Sequence, residues 1–535
     1  MKRRELIKNL SILPLAGGVV GSGFPLQSLA ETGRPDPAQA PAKGLYASLG
    51  VRPVINGRGT ITIIGGSRIL PEVEQAMHEA TLDYVELDEL MDGVGRRLGE
   101  LTGSEWGVVT TGATGALIIG TLGVITGGNP DKLWQIPNLS GMKNEVIIPD
   151  YSRTACESAV RGIGVKMVTV KNREELLAAL GPQTAMILVL AGTRSMEGPL
   201  SLKEISEVAK PLGVPVMVDA AAEGLPVPNP HIGLGADMVA YSGGKILNGP
   251  QCAGLLLGRK DLMQAAWATS APHHGFARGY KVGREEVLGM LVAVEMWMKR
   301  DHVRENKIWT DRLKFIEDRI KNIPGLTTSI HQPQPGRLSN PSPGLHVSWD
   351  MKRIPLTGYD VEQILWNGNP RVSVGGAGSF LPFPPNMSPG IGINVSQLRE
   401  GEERIIAEQV AALFSKPPQL DRPSGGPAFN VSGQWDMELT FAAETAGQTL
   451  VLDQRDNIVK GTHFGSYATR DLEGTIYGNK VMFRSAYTLN GVRLDFEFNG
   501  EVTDNDSMGG KLSLSEYGAA EWKAKRHEYK IHGAR

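Results

Sequence analysis

The chain is 535 residues long, enough for two or three domains, with hydrophobic residues at 41% and charged residues at 21%, both near globular averages. A net charge of -2 gives no hint of nucleic-acid or acidic-membrane binding. With only two cysteines, Cys156 and Cys252, the chain is not a disulfide scaffold, and no Cys/His cluster has metal-ligand spacing.

The first residues read as a targeting segment. Lys2-Arg3-Arg4-Glu5-Leu6-Ile7-Lys8 precedes a modest apolar stretch, Leu10 to Val20, and Ser28-Leu29-Ala30 offers a small-residue cleavage site before Glu31. The Arg-Arg pattern resembles the twin-arginine export signal. The apolar stretch is too short and too glycine-rich to span a bilayer well. Residues 1–30 are therefore expected to be a cleaved signal for the twin-arginine export machinery, with the mature protein in the periplasm. That route carries folded proteins, so a cofactor could be loaded before transport. Residues 31–50 read as a flexible lead-in.

Between residues 51 and 300, apolar runs alternate with helix-length amphipathic segments. Val108 to Thr110, Val146 to Pro149, Val165 to Val170, Ala185 to Leu190, Val216 to Asp219, Met238 to Ser242 and Gly254 to Leu257 read as buried strands. Helical patterns such as Glu174 to Leu180 and Leu202 to Leu212 lie between them. This alternation predicts an α/β fold, a mostly parallel sheet with helices on both faces and its ligand at the carboxyl ends of the strands. Residues 301–416 are expected to form a small α/β part, entered through helices at Glu285 to Arg300 and Glu305 to Ile323 and closed by a helix at Glu400 to Phe414. Residues 417–428, rich in Pro and Gly, make a linker. From 429 to 535 the period changes to two. Gly433 to Phe441, Gln448 to Leu452, Leu472 to Tyr477, Lys480 to Tyr487, Val492 to Asn499 and Gly510 to Leu514 predict an antiparallel barrel or sandwich, read as an accessory domain.

Two of the strand ends carry the chemistry. Val214 to Asp219 delivers a carboxylate, and 26 residues further on Ser242-Gly243-Gly244-Lys245 delivers a hydroxyl and a lysine. A lysine that forms a Schiff base and an aspartate that keeps a pyridine nitrogen protonated are what a protein supplies to pyridoxal 5'-phosphate. Lys245 is expected to bind the cofactor and move the α-proton, with Asp219 as the ring partner. Cys252, seven residues past the lysine, is expected to be a small buried packing residue.

With those residues placed, the region from Val54 to Trp297 resembles the bacterial selenocysteine synthase (seryl-tRNA selenium transferase) family of fold type I pyridoxal-phosphate enzymes, whose relatives include sugar-acid ammonia-lyases. The matching segments are Val54-Ile55-Asn56-Gly57, Leu98 to Glu105, Gly213 to Asp219, Gly235 to Val239, and Ser242 through Gly249-Pro250-Gln251 to Leu262. The resemblance implies that Gly112, Ala113 and Thr114, opening an apolar helix, cradle the cofactor phosphate, with a hydrogen bond added by Ser242. It implies that Tyr151 or Arg153 lies against the cofactor ring, and that Arg278 and Lys281 match a basic pair reaching phosphate or substrate. Arg371 is a candidate to grip a substrate carboxylate. It also implies a homodimer or larger homo-oligomer.

Two departures bear on substrate. Gly244 stands where the family commonly has an acidic residue, and the extra domain that grips tRNA is missing. A small amino acid or amino-sugar acid is therefore expected rather than aminoacyl-tRNA. The leading expectation is α,β-elimination by a lyase; a racemase or a β-replacement transferase would use the same carbanion. An exported ligand-binding protein without turnover is the alternative of another class, against which the intact Asp219 and Lys245 stand.

Overall fold

The computed structural model describes residues 44–334, 341–375 and 388–529; the export segment and most of the lead-in lie outside them. Strand β1 (Val54–Asn56) is followed by β2 (Trp106–Thr110), β3 (Glu145–Pro149), β4 (Lys166–Val170), β5 (Thr184–Leu190), β6 (Val216–Asp219), β7 (Met238–Ser242) and β8 (Gly254–Gly258). The last seven form one sheet in the order β2-β8-β7-β6-β5-β3-β4. Neighbours are parallel except around β8, which runs antiparallel to both β2 and β7. Helices cover the sheet, so its central strands are near-continuous apolar runs rather than alternating ones. Val146, Ile147, Ile148, Val189, Met217 and Val218 are fully buried.

The helix Gly112–Thr126 is apolar almost all round because, past its first turn, it is enclosed by its neighbours. Two of its glycines set how closely it packs. A Cβ at Gly120 would stand 2.9 Å from the Met217 sulfur, and one at Gly123 would stand 2.7 Å from the Ala266 backbone.

Past the helices Arg284–Lys299 and His302–Ile320 comes a second core. It holds β9 (Leu326–His331), β10 (Gly344–Trp349) and, beyond β11 (Arg371–Ser373), β12 (Gly390–Asn394), in the antiparallel order β12-β10-β9. The helices Gly358–Asn367 and Glu402–Ser415 pack there too, through Val361, Leu365, Ile406 and Val410. β11 pairs in parallel with β1, and Ile55 belongs to this second core. The Val54 segment, grouped by sequence with the large sheet, thus shares its core with the smaller part.

Contacts divide the chain into a larger unit, running to Arg422 and taking in Thr488–Arg493, and a smaller one of Pro423–Tyr487 with the residues from Leu494 on. The smaller unit resolves the choice between barrel and sandwich. Strands β13 (Gly433–Thr440), β14 (Thr445–Arg455), β15 (Ile458–Phe464), β16 (Thr469–Tyr477), β17 (Lys480–Leu489), β18 (Val492–Asp504), β19 (Ser507–Ser513) and β20 (Ala519–Arg526) close into an eight-stranded barrel. Sequence reading missed β15 and β20. The inward residues of β15 include Gly461 and a buried histidine, His463, and two of the three on β20 are Ala520 and Ala524, so neither strand shows a strong apolar alternation.

Candidate active site

The sheet topology brings the predicted residues together. β2, β6 and β7 run the same way, so Gly112, Asp219 and Ser242 lie at one edge of the sheet, where β8 begins. Gly254, the first residue of β8, pairs with Thr110 on one side and Ser242 on the other. A Cβ there would stand 2.4 Å from the Gly112 carbonyl carbon and 2.7 Å from the Ala113 nitrogen. Only glycine lets the helix start approach so closely. That helix has no side-chain cap and no acidic residue in its first turn, so its opening N–H groups face an anion site. Thr114 is exposed and Ser242, paired with Gly254, is half-buried.

Lys245 rides on a tight loop. Gly243 donates its N–H to the Ala253 carbonyl and Gly249 donates to Gly243, while Asn248 closes back on the Lys245 carbonyl in the left-handed region. A Cβ at Gly243 would meet the Met290 sulfur at 2.5 Å, and one at Gly244 would meet the Gln251 Cα at 2.6 Å. The family's acidic residue at position 244 is therefore more than absent here: its space is filled by Gln251.

Asp219 is 7% exposed, and its carboxylate's one hydrogen bond among the described residues comes from the Ala221 N–H at 3.1 Å. Burial pushes its carboxyl up, and the Ala221 N–H and the nearby Lys245 charge pull it back only in part. A buried carboxylate short of a cation fits a protonated pyridine nitrogen, and the bare helix start fits a phosphate. The residues suit pyridoxal phosphate.

Sequence reasoning missed four neighbours. Cys156, exposed on one side but largely surrounded by protein, lies near enough for Asp219 and Lys245 to act on its thiol, which the surrounding protein and the Asp219 charge push up. Four residues past Asp219, Glu223 is buried and bonded at 2.7 Å to His231, which is also buried. Burial pushes the Glu223 carboxyl up, as does the Asp219 charge to a lesser degree, and the Glu223 Oε1 has no partner among the described residues. The fourth is Arg58, just past β1, whose Nε and Nη2 are buried without a hydrogen-bond partner among the described residues. Its side chain runs along Gly375, where a Cβ would stand 3.4 Å from the Arg58 Cγ. The segment after Arg58 docks on the lysine loop, with the Ser67 N–H on the Gly244 carbonyl and the Leu70 N–H on Asn248. Only the Asp-Ala-Ala-Ala-Glu run after β6 and the Asn-Gly-Arg-Gly turn after β1 hinted at these groups.

The other predicted residues are placed as follows. Arg278 and Lys281 are exposed and flank Tyr280, whose carbonyl accepts the Thr111 hydroxyl at 3.5 Å, so both sit beside the helix start. Tyr151 donates its hydroxyl to the Leu200 carbonyl at 2.7 Å under the Arg194 guanidinium, and burial pushes its phenol up to about 12. Arg153 grips the buried Glu157 with two nitrogens at 2.5 and 2.6 Å and reaches Thr169 with a third. Arg371 stacks 4.6 Å over the Trp366 ring and donates to that residue's carbonyl. It stands at the start of β11, whereas Arg58 follows the far end of the paired strand β1. Cys252 is exposed, not buried as expected, because the turn carrying it lies outside the strands.

Residues 155–275 match the family model described as aminotransferase class-V. The chain is 33% identical to the D-glucosaminate-6-phosphate ammonia lyase of Salmonella typhimurium over 335 residues, 61% of this chain and 87% of that protein. It is 30% identical to the 5'-C-glycyluridine monooxygenase-decarboxylase of a Streptomyces species, over 55% and 75% of the two chains. With the L-seryl-tRNA(Sec) selenium transferase of Aquifex aeolicus it shares 24% identity over 52% and 68%. A solved structure of a D-glucosaminate-6-phosphate ammonia-lyase superposes with a TM-score of 0.61 at 28% identity, covering 70% of this chain and 98% of that one. The fold, the paired Asp219 and Lys245 and these likenesses agree: the chain is an enzyme of the selenocysteine synthase-like family of pyridoxal-phosphate enzymes, to which sugar-acid ammonia-lyases belong.

Proposed function

We propose that the protein is a lyase that takes the α-proton from a small amino-sugar acid, expels the β-substituent and releases ammonia and a keto acid. The reaction class rests on the likeness to D-glucosaminate-6-phosphate ammonia lyase, which extends over 87% of that protein. The bound cofactor supplies an electron sink for the substrate α-carbon. Each part of the site has a task within that chemistry. Gly112, Ala113, Thr114 and Ser242 hold the phosphate, and Asp219 keeps the proton on the ring nitrogen. Glu223 and His231, locked together behind Asp219, keep the loop after β6 in place. The Lys245 amine anchors the cofactor and then carries the α-proton. The unpaired Arg58 donors hold the substrate carboxylate, a task that sequence reading gave to Arg371. Arg278 and Lys281 add positive charge beside the phosphate cradle.

We further propose a homodimer or larger assembly, exported through the signal in residues 1–30. Support for export is the Arg3-Arg4 segment with its short apolar stretch. Among the described residues no helix is long and apolar enough to cross a membrane.

The test is turnover by the purified protein on D-glucosaminate and its 6-phosphate, read as ammonia and keto acid in equal amounts, with Lys245→Ala as control. A keto acid without ammonia, or decarboxylation that consumes oxygen, would overturn the lyase reading. Fractionation of cells for the mature chain tests export, and accumulation in the cytoplasm would count against it.

A further inference from the structure

Inside the barrel, one patch of the wall departs from the rest. At one end the inward residues are apolar and almost wholly buried: Leu452, Val459, Ile476, Val481, Val502 and Met508. Toward the other end, four adjacent strands turn Gln448, His463, Arg470 and Ser485 inward. Their register places His463 beside Leu450 and Arg470, and Ser485 beside Leu472.

Arg470 is 5% exposed. Its guanidinium lies between two rings, 4.1 Å from the centre of Phe496 and 4.5 Å from that of Tyr487. One nitrogen, Nη1, donates to His463 Nδ1 at 3.1 Å, and the Nε–H has no acceptor among the described residues. The other polar neighbours are taken. His463 Nε2 donates to the Gln448 oxygen at 2.5 Å, and Nδ1 also meets the Ser485 hydroxyl at 2.7 Å. Burial and the Arg470 charge push His463 down to about 3, so its ring is neutral and brings no counter-charge.

No carboxylate pairs with Arg470 among the described residues. Other barrel arginines do have one: Arg455 with Asp453, Arg484 with Asp495, Arg526 with Asp506. An interior cation without a counter-ion is costly, and replacing it by an apolar side chain would have been the stabilising choice. Aromatic faces offset part of that cost but leave the Nε edge, one arm of the fork that fits a carboxylate, unmet. The turn above the patch is built for approach. Gly465 lies against the guanidinium, where a Cβ would be 2.9 Å from Nη2, and Phe464 and Tyr467 beside it are exposed.

We propose that this end of the barrel is a binding site for a small organic carboxylate, received by Arg470 between Tyr487 and Phe496. The proposal does not depend on the reaction proposed for the lysine site. Eight-stranded barrels of this size are wide enough either to fill with side chains or to hold one small ligand. This one does the first at one end and the second at the other.

Hydrogen exchange of the full-length protein, followed by peptide mass, tests the assignment. Acetate, benzoate and gluconate serve as probes, with phosphate and chloride at equal ionic strength as controls. At least one carboxylate should protect peptides of β14–β17 saturably, and Arg470→Gln should weaken that protection at least tenfold while the visible cofactor band stays unchanged. Arg470→Lys, which keeps the charge without the fork, serves if Arg470→Gln does not fold. Protection by none of the carboxylates in the unmodified protein would overturn the proposal, as would protection by phosphate alone or protection that survives both variants.

Discussion

The catalytic sheet and the barrel hold polar groups in opposite ways. In the sheet the core is uniformly apolar, and the functional side chains project from strand ends, at an edge fixed by the parallel topology. In the barrel the strands continue past the polar residues, which occupy inward positions otherwise reserved for core. Strand ends can be read from a sequence because an apolar run stops at them. An inward arginine in an alternating strand cannot, since period two says which residues share a face but not which face is inside.

The comparison can be broken most sharply at the sheet edge. Lys245→Ala removes the group that both holds the cofactor and moves the proton, and turnover should fall by about 10⁴-fold. Steady-state kinetics with excess cofactor would show it, and more than a tenth of the activity remaining would remove Lys245 from its role. Asp219→Asn should lower kcat by roughly 10²-fold, by analogy with the loss of other fixed electrostatic partners. It also carries a pH signature. Burial raises the Asp219 carboxyl above its ordinary value near 3.8, so the cofactor-free chain loses stability as pH rises from there through the raised pKa. The melting temperature of cofactor-free Asp219→Asn should therefore gain on the parent as pH rises above the ordinary carboxyl value; a constant difference would contradict this.

Arg58 sharpens the substrate side. Arg58→Met removes a charge-assisted hydrogen bond of about 2 kcal/mol, roughly thirtyfold in KM, with kcat much less affected. Burial pushes the neighbouring Glu362 up to about 7, with Arg58 pulling it down in part. Below that pH Glu362 is neutral and Arg58 is unopposed, so KM for an anionic substrate should rise as pH passes upward through 7, and Glu362→Gln should flatten the rise. Arg371→Ala serves as the contrast and should change KM less than twofold, because its guanidinium lies on Trp366.

In the barrel the sign reverses. The buried His463 is held below its usual 6.5, so the stability it contributes is full above that value and is lost as pH falls toward about 3. Between pH 7 and 5 the barrel's melting transition should drop by roughly 5 °C, and His463→Gln should drop less. Equal drops in both proteins would show that His463 does not titrate with folding.

How much of this was legible follows from the same contrast. The boundaries Val216–Asp219 and Met238–Ser242 were read to the residue because both strands are buried runs ending in a polar side chain. Lys245 and Asp219, singled out by spacing, and Ser242 and the Gly112 turn, implied by the resemblance, lie at one edge of the sheet. Arg58, Glu223 and His231 were not found, since a lone arginine in a turn and a Glu and a His eight residues apart carry no periodic signal. Arg153 and Arg371 looked free in sequence because the partners that hold them, buried Glu157 and the Trp366 ring, are matters of packing. Strands β15 and β20 escaped because glycine, histidine and alanine take inward positions where larger apolar residues were sought.

The most direct test of the central claim is the visible spectrum of the purified full-length protein with pyridoxal phosphate, recorded beside Lys245→Ala. A coloured protein whose band shifts on adding D-glucosaminate or its 6-phosphate, and a Lys245→Ala chain that folds but lacks that band, is the predicted result. A parent that stays colourless with excess cofactor, or a variant with the parent's spectrum, would contradict the account.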